Sequence, residues 1–313
     1  MYRRNALNRR KALALGLGTL CLGQAAVTDY LTDKLVRTLP QQEGRIFADL
    51  HVHLGMQHTD EELKKVLSQG IVGLSTRYPS RMLSVQDIVD RSIGKWVEEE
   101  QIASVEHKGK VGYVLNTQEV LTYHHLLAIF CRKKISRDQE SITAANQILE
   151  NNGLLILPHG YVNRQYPTIL PEFLTQLPRP IPQILKFYMQ LPRLITPEEE
   201  LSMWEIAYIA DEIDVFDASI PESILFEVRD ANNMAKAFVK LLKNSGKKIK
   251  GVATSDSHDS LSSIFGGSIS FRLDDICDNG VPCVEGITSA IRNQRFDRHE
   301  AGISMLEILA TQF

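Results

Sequence analysis

The chain is poor in aromatic residues, which make up 7% of its 313 positions, and it has no excess of one charge. Its 35 basic and 38 acidic side chains leave a net charge of −3. Few aromatics give nucleobases little to stack on, and a balanced surface offers no global field for a polyanion. The expectation is a protein that does not bind nucleic acid. Cysteine is scarce too: Cys21, Cys131, Cys277 and Cys283 form no C-x-x-C pair, which argues against a zinc ribbon or a disulfide framework. Cys277 and Cys283 flank the turn-like "DNGVP" and read either as a pair, in an oxidising compartment, or as two free thiols. Fixed-period repeats and low-complexity tracts are missing.

Long apolar runs are missing as well, apart from one near the start. "MYRRNALNRRKALALGLGTLCLGQAA" has a basic opening (Arg3, Arg4, Arg9, Arg10, Lys11), an apolar stretch from Ala12 to Gly23, and the small residues Ala25 and Ala26. That is the layout of a secretory signal, and it is short for a transmembrane helix. The Arg9-Arg10 pair loosely resembles a twin-arginine export signal. Residues 1–28 are therefore expected to be a signal that sends the protein to the periplasm. The alternative is an N-terminal helix on a cytoplasmic protein. No stable membrane span is expected elsewhere.

Ample apolar content, 43%, supports a sizeable core. From residue 45 to the end, short apolar strands alternate with helical segments. "RIFADLHVH" reads as a strand, and "TDEELKKVLSQG" as a helix capped by Thr59 and stopped near Gly70. "IVGLSTR" is a strand and "SVQDIVDRSIGKWVEEEQIAS" is expected to be a helix. "GYVLNTQEVLT" and "HHLLAIFC" read as strands joined by a short turn, followed by a helix over "RDQESITAANQILENNG" and the strand "LLILPHG". The stretch from Tyr161 to Pro197 is proline-rich and irregular. "EEELSMWEIAYIADE", "IDVFDASI", "ILFEVRDANNMAKAFVKLLKNSG" and "KIKGVATSDSHD" continue the alternation, and "SISFR" and "GITSAIRNQRF" follow as a strand and a helix. About seven β-α units predict an α/β fold closed as a barrel, in which polar residues at the C-terminal strand ends form the active site.

Those strand ends hold His51 and His53, Arg77, Glu119, His125, His159, Asp214 and Asp217, and Asp256 with His258. Alternation along a strand puts His51 and His53 on one face, where one metal ion would satisfy both imidazoles. Histidines and carboxylates without cysteine suit zinc, manganese or iron.

With "DLHVH" opening the domain and "TSDSHD" closing it, the sequence resembles the PHP family, metal-dependent phosphoesterases named after polymerase and histidinol phosphatase domains. "TQEVLTYHHLLAIF" is similar to the family's glutamate motif followed by its "HLL" strand, "LPHG" to its "AHP" strand end, "DVFDAS" to its Glu-x-x-Asn segment, and "GITSAIRNQRF" to its last helix. The resemblance implies a distorted seven-stranded, TIM-like β/α barrel of the PHP type over residues 45–313, with a cluster of two or three divalent ions. His51, His53 and Asp256 would hold one ion. Glu119 would bridge it to a second, completed by His125 and His159, with His124 as the alternative to His125. His258 would line a third position. Paired ions clamp a phosphoryl group and activate water near neutral pH.

The chain departs from the family pattern at "STRYP", where Arg77 stands at a usual histidine position, and at Asp214, where a glutamate is common. A guanidinium cannot ligate a cation, so Arg77 is expected to face substrate phosphate, with Arg164 and Arg295 as further candidates, and two ions are expected rather than three. His58 would be the one residue able to rescue a third site with His258; otherwise it is a loop residue. His107 and His299 read as surface residues. The function expected is hydrolysis of a small-molecule phosphate ester, with Asp256, His258 and Arg77 in the catalytic site. The alternatives are a non-catalytic metal-binding module of the same barrel and a hydrolase of C–N bonds. The latter usually needs a strand-borne lysine, and no lysine stands at a strand end.

Overall fold

The computed structural model describes residues 43–76, 82–158, 162–163, 193–194, 197–217, 231–258, 261 and 263–301. The signal expected in residues 1–28, Cys21, Arg77, His159 and Arg164 lie outside the described residues, as does most of the proline-rich stretch. The described residues all fall within one compact unit, Leu39–Phe313.

In chain order the elements are β1 (Arg45–His53), α1 (Asp60–Leu67), β2 (Ile71–Thr76), α2 (Val85–Asp90), β3 (Gly94–Glu98), β4 (Ile102–His107), β5 (Lys110–Leu121), β6 (His125–Ile129), α3 (Ser141–Glu150) and β7 (Leu154–Leu157). Then come β8 (Val162–Asn163), β9 (Arg193–Leu194), α4 (Pro197–Ile209), β10 (Glu212–Asp217), α5 (Ala231–Asn244), β11 (Val252–Thr254), β12 (Ser257–His258) and β13 (Gly267–Arg272). The last are α6 (Leu273–Ile276), β14 (Cys277–Asp278), β15 (Val281–Pro282), α7 (Val284–Arg292) and β16 (Asp297–Glu300). Thr59 starts α1 through a capping box with Glu62, and Ser84 starts α2 through one with Asp87.

One sheet runs in the order β11-β10-β7-β6-β5-β2-β1-β13-β16. After β11 the chain bends and β12 pairs in parallel with the end of β1, Val52 opposite Ser257 and His53 opposite His258. This brings the sheet round to its start, so β1, β2, β5, β6, β7, β10 and the β11–β12 segment make a seven-membered, nearly closed barrel. Six of the members run parallel. β6 alone is antiparallel to both neighbours, because it is the return arm of a hairpin with β5. The reversal puts the first residue of β6, His125, at the same rim as the last residues of β1 and β5.

Strand alternation sorts the side chains into two cores. Leu126, Ala128, Leu155, Leu157, Ile213 and Val215 face outward and pack with Ala144 and Ile148 of α3, Ile206 of α4 and Phe238 of α5. Ala48, Leu50, Ile71, Leu127, Ile129, Leu154, Ile156 and Val252 form the inner core with Ile287 and Ile291 of α7. These inner residues come from the lower parts of the parallel strands and the C-terminal part of the antiparallel β6, so α7 closes the barrel floor opposite the histidines.

One expectation is corrected and one open alternative is resolved. The stretch from Ser84 to Ser104 is not one helix: α2 ends at Asp90, Ser92 takes φ 57°, and Gly94 opens a β3–β4 hairpin that continues onto β5. The segment offers few apolar residues on one helical face, whereas as β4 it buries Ile102, Ala103 and Val105 against β5. Cys277 and Cys283 are free thiols, not a pair. Cys283 is instead the N-cap of α7, its Sγ accepting from the Gly286 N–H at 3.3 Å. Among the described residues no helix is long and apolar enough to cross a membrane.

Candidate metal centre

The site begins with an irregularity in β1. Ala48 pairs with Ile71 and Asp49 with Val72, but Val52 pairs with Leu74, so β1 carries one extra residue across this interval. Such a bulge reverses the parity of side chains along a strand. Ala48 and Leu50 therefore enter the lower core, and the odd-numbered His51 and His53 still turn inward at the rim.

Both imidazoles are fully buried, and their Nε2 atoms lie 3.0 Å apart. The Nδ1 of His53 is 2.9 Å from the carbonyl oxygen of Ser75. A carbonyl only accepts, so the ring proton is assigned to Nδ1 and the Nε2 lone pair points into the cluster. The same argument holds for His258, whose Nδ1 is 2.8 Å from the carbonyl oxygen of Asp256. Burial pushes the His51 imidazole down to about 4, against the opposing charge of Asp256, so it is neutral at neutral pH.

The carboxylates converge on these nitrogens. Asp256 Oδ1 is 3.5 Å from His51 Nε2 and 3.6 Å from His53 Nε2. Glu119 Oε2 is 3.2 Å from His53 Nε2, and its Oε1 is 2.6 Å from His125 Nδ1. Burial alone would raise the Glu119 carboxyl, but the His125 imidazole beside it holds it well below the usual carboxylate range. One donor atom each from His51, His53 and Asp256 fit within 4.8 Å of one another, the spacing a single ion needs. Glu119 presents one oxygen to this trio and the other to His125, as a bridging carboxylate would. The His258 ring lies tilted with its centroid 4.6 Å from that of His53 and is the more exposed of the set.

The structure thus brings together His51, His53, Glu119, His125, Asp256 and His258. His124 is turned elsewhere, its N–H donating to Ser141 Oγ and its ring edge-on to Tyr123. Asp214 is buried beside the cluster and accepts from Thr254 Oγ1 at 2.5 Å and from the Phe216 N–H. Burial raises it to about 7, helped by the charges of Asp256 and Asp49. Asp217 ends β10. Arg295 is engaged on the surface with Asp275 and Ser289, near the barrel floor. His58 precedes α1, and its carbonyl accepts from Arg91. His107 faces Glu61, and His299 contacts Ser270 Oγ and the Phe47 ring, so neither joins the cluster.

Sequence reasoning assigned no role to Asp49, Ser75 or Thr254. Ser75 acts through its backbone and carries no sequence signal. Asp49 did carry one: a charged residue within an apolar buried strand must find several donors.

No family model matches the chain, and no curated protein matches it. Among solved structures it is similar to a two-domain protein from Bacteroides vulgatus ATCC 8482 described as containing a predicted PHP-like metal-dependent phosphoesterase. That match has 13% identity and a TM-score of 0.41, and covers 83% of this chain and 66% of that one. The chain is also similar to the lesion-specific endonuclease PfuEndoQ from Pyrococcus furiosus, at 14% identity and a TM-score of 0.41 over 79% of this chain and 56% of that one. A third match is Endonuclease Q in complex with a 27-mer duplex substrate carrying an abasic lesion at the active site, at 14% identity, a TM-score of 0.42 and the same coverage. The chain spans just under two thirds of the first structure's length and a little over half of the other two.

Proposed function

We propose that the chain is a metal-dependent phosphoesterase of the PHP type. One observation carries the reading: lone-pair atoms of His51, His53, Glu119 and Asp256 face one another inside the barrel rim. Neutral imidazole nitrogens and carboxylate oxygens converging at these distances suit a cation held between them, and the donor set fits zinc, manganese or iron. His51, His53 and Asp256 would hold one ion. Glu119, His125 and, from the sequence, His159 would hold a second. Divalent ions in such a pair supply Lewis-acid stabilisation of phosphoryl charge and a water acidic enough to attack at neutral pH.

The chain's own groups do the rest. The Ser75 carbonyl fixes the His53 tautomer, as partners of metal-bound histidines commonly do. His258 stands at the more open side, where its Nε2 can hold a water or a substrate oxygen. Arg77, one residue beyond β2, is the cationic partner for a phosphate oxygen, since its guanidinium donates in a fork and cannot ligate a metal. The substrate class is a small phosphate ester, in keeping with the balanced charge and few aromatics.

The test is phosphate release from a panel of phosphomonoesters and phosphodiesters by chelator-stripped protein, with and without added manganese. Metal-dependent hydrolysis is expected, and Asp256→Asn and His51→Ala should each lower it by orders of magnitude. A protein that binds manganese but hydrolyses no ester on the panel would favour the non-catalytic module. Full activity in both variants would remove those residues from the site.

A further inference from the structure

We infer that Asp49 is a positioning residue for the metal centre: its carboxylate ties both ends of the segment carrying Asp256 and His258 to the strand carrying His51 and His53. The inference rests on the phosphoesterase reading of this site. Asp49 is fully buried in β1, and both its oxygens are taken up by backbone N–H groups. Its Oδ1 accepts from the Ser255 N–H at 3.1 Å and the His51 N–H at 3.4 Å. Its Oδ2 accepts from the Phe265 N–H at 2.8 Å. Ser255 immediately precedes Asp256, and Phe265 closes the same segment, of which residues 259, 260 and 262 lie outside the described set. One side chain therefore holds the start of the segment, its end and the strand that faces it.

The backbone shows why such a clamp is needed. Asp256 has φ 45° and Phe265 has φ 67°, both in the left-handed region that non-glycine residues avoid. A residue held there is strained and persists only where its surroundings over-determine it. The left-handed turn at Asp256 lets its carbonyl meet His258 Nδ1 while its carboxylate meets His51 and His53. The Ser257 and Ser263 hydroxyls, 2.5 Å apart, brace the segment internally. The Phe265 ring seats it against Gly70, where even a methyl group would come within 3.0 Å of the ring. These contacts shape the segment; among the described residues, β12 pairs its start with β1, and the Asp49 carboxylate holds both its start and its end to that strand.

Asp49→Asn keeps the side-chain shape but replaces one acceptor oxygen with a donor, leaving one of the three N–H groups facing an N–H. Manganese titration of the stripped full-length protein by calorimetry should show affinity about ten- to a hundredfold weaker than wild type, the range for groups that orient metal ligands. Leu67→Ala, a core truncation in α1, is the control and should leave affinity unchanged while lowering the melting temperature. Equal affinity in Asp49→Asn and wild type would overturn the inference and leave the function standing. No manganese binding by wild type would overturn the function itself. If Asp49→Asn does not fold, hydrogen exchange in wild type decides: the Ser255 and Phe265 amides should be among the slowest, and rapid exchange at either refutes the clamp.

Discussion

Gly73 is the position at which a single methyl group would disturb the metal centre through the barrel wall. It lies in β2 directly against β1, and a Cβ there would sit 2.8 Å from the Leu50 carbonyl carbon and 3.0 Å from Thr117 Cγ2. Carbon atoms in contact prefer about 3.5–4.0 Å, so Gly73→Ala must push the Leu50 backbone away by roughly 0.7 Å. Leu50 precedes His51, inside the bulge that aims both histidines. Overpacking of this kind costs about 1–3 kcal/mol. A misplacement approaching 1 Å at reacting groups costs on the order of a hundredfold in rate. The variant should therefore melt lower by several degrees and lose about a hundredfold in metal-dependent kcat/KM. Gly109→Ala separates the two effects. Gly109 has φ 77° and open space around its would-be Cβ, so alanine there pays about 1–2 kcal/mol of left-handed strain far from the site. It should lose comparable stability with hydrolysis intact. Wild-type activity and melting in Gly73→Ala would refute the β1–β2 register and the bulge derived from it.

Three further outcomes follow from other parts of the molecule. Burial raises the Glu212 carboxyl to about 7 although it accepts from the Lys250 and Gly251 N–H groups. A carboxyl raised in the folded state supports the fold fully below its unfolded value near 4.5 and loses that support as pH rises through about 7. Urea unfolding should then show wild type losing on the order of 3 kcal/mol relative to Glu212→Gln between pH 4.5 and pH 8; a constant difference would rule out Glu212 as the cause. Cys283→Ser should stabilise α7 by about 0.5 kcal/mol, since a hydroxyl is a better N-cap acceptor than a thiol, and a melting temperature below wild type would contradict the cap. The His51 imidazole, pushed down to about 4 by burial, should not compete with metal as an ordinary imidazole would. Manganese affinity should accordingly fall little through this residue between pH 7 and pH 5.5, and a steep loss in that window, absent in His51→Gln, would contradict the assignment.

Much of the site was legible because its residues are chemically conspicuous. "DLHVH" and "TSDSHD" announce themselves by histidines and acids at the ends of apolar strands, and the short "TYH" between two β-forming runs marks the hairpin that returns His125 to the rim. The choice of His125 over His124 follows from that register, with Leu121 opposite His125. What escaped was set by tertiary pairing. "GKWVEEEQIAS" has no strong local preference, and β5 decides it by offering an edge. The bulge in β1 hides behind perfect alternation, since Ala48, Leu50 and Val52 look like one face until the register to β2 is known. The roles of Asp49 and the Ser75 carbonyl depend on partners 206 and 22 residues away in sequence.

The central claim is tested most directly by equilibrium dialysis of the stripped full-length protein against manganese, comparing wild type with Asp256→Asn. The account predicts two tightly bound ions per chain in wild type and the loss of at least one in the variant, at unchanged secondary structure. Wild-type protein that retains no divalent ion, or an Asp256→Asn variant that retains the wild-type number at the same affinity, would contradict it.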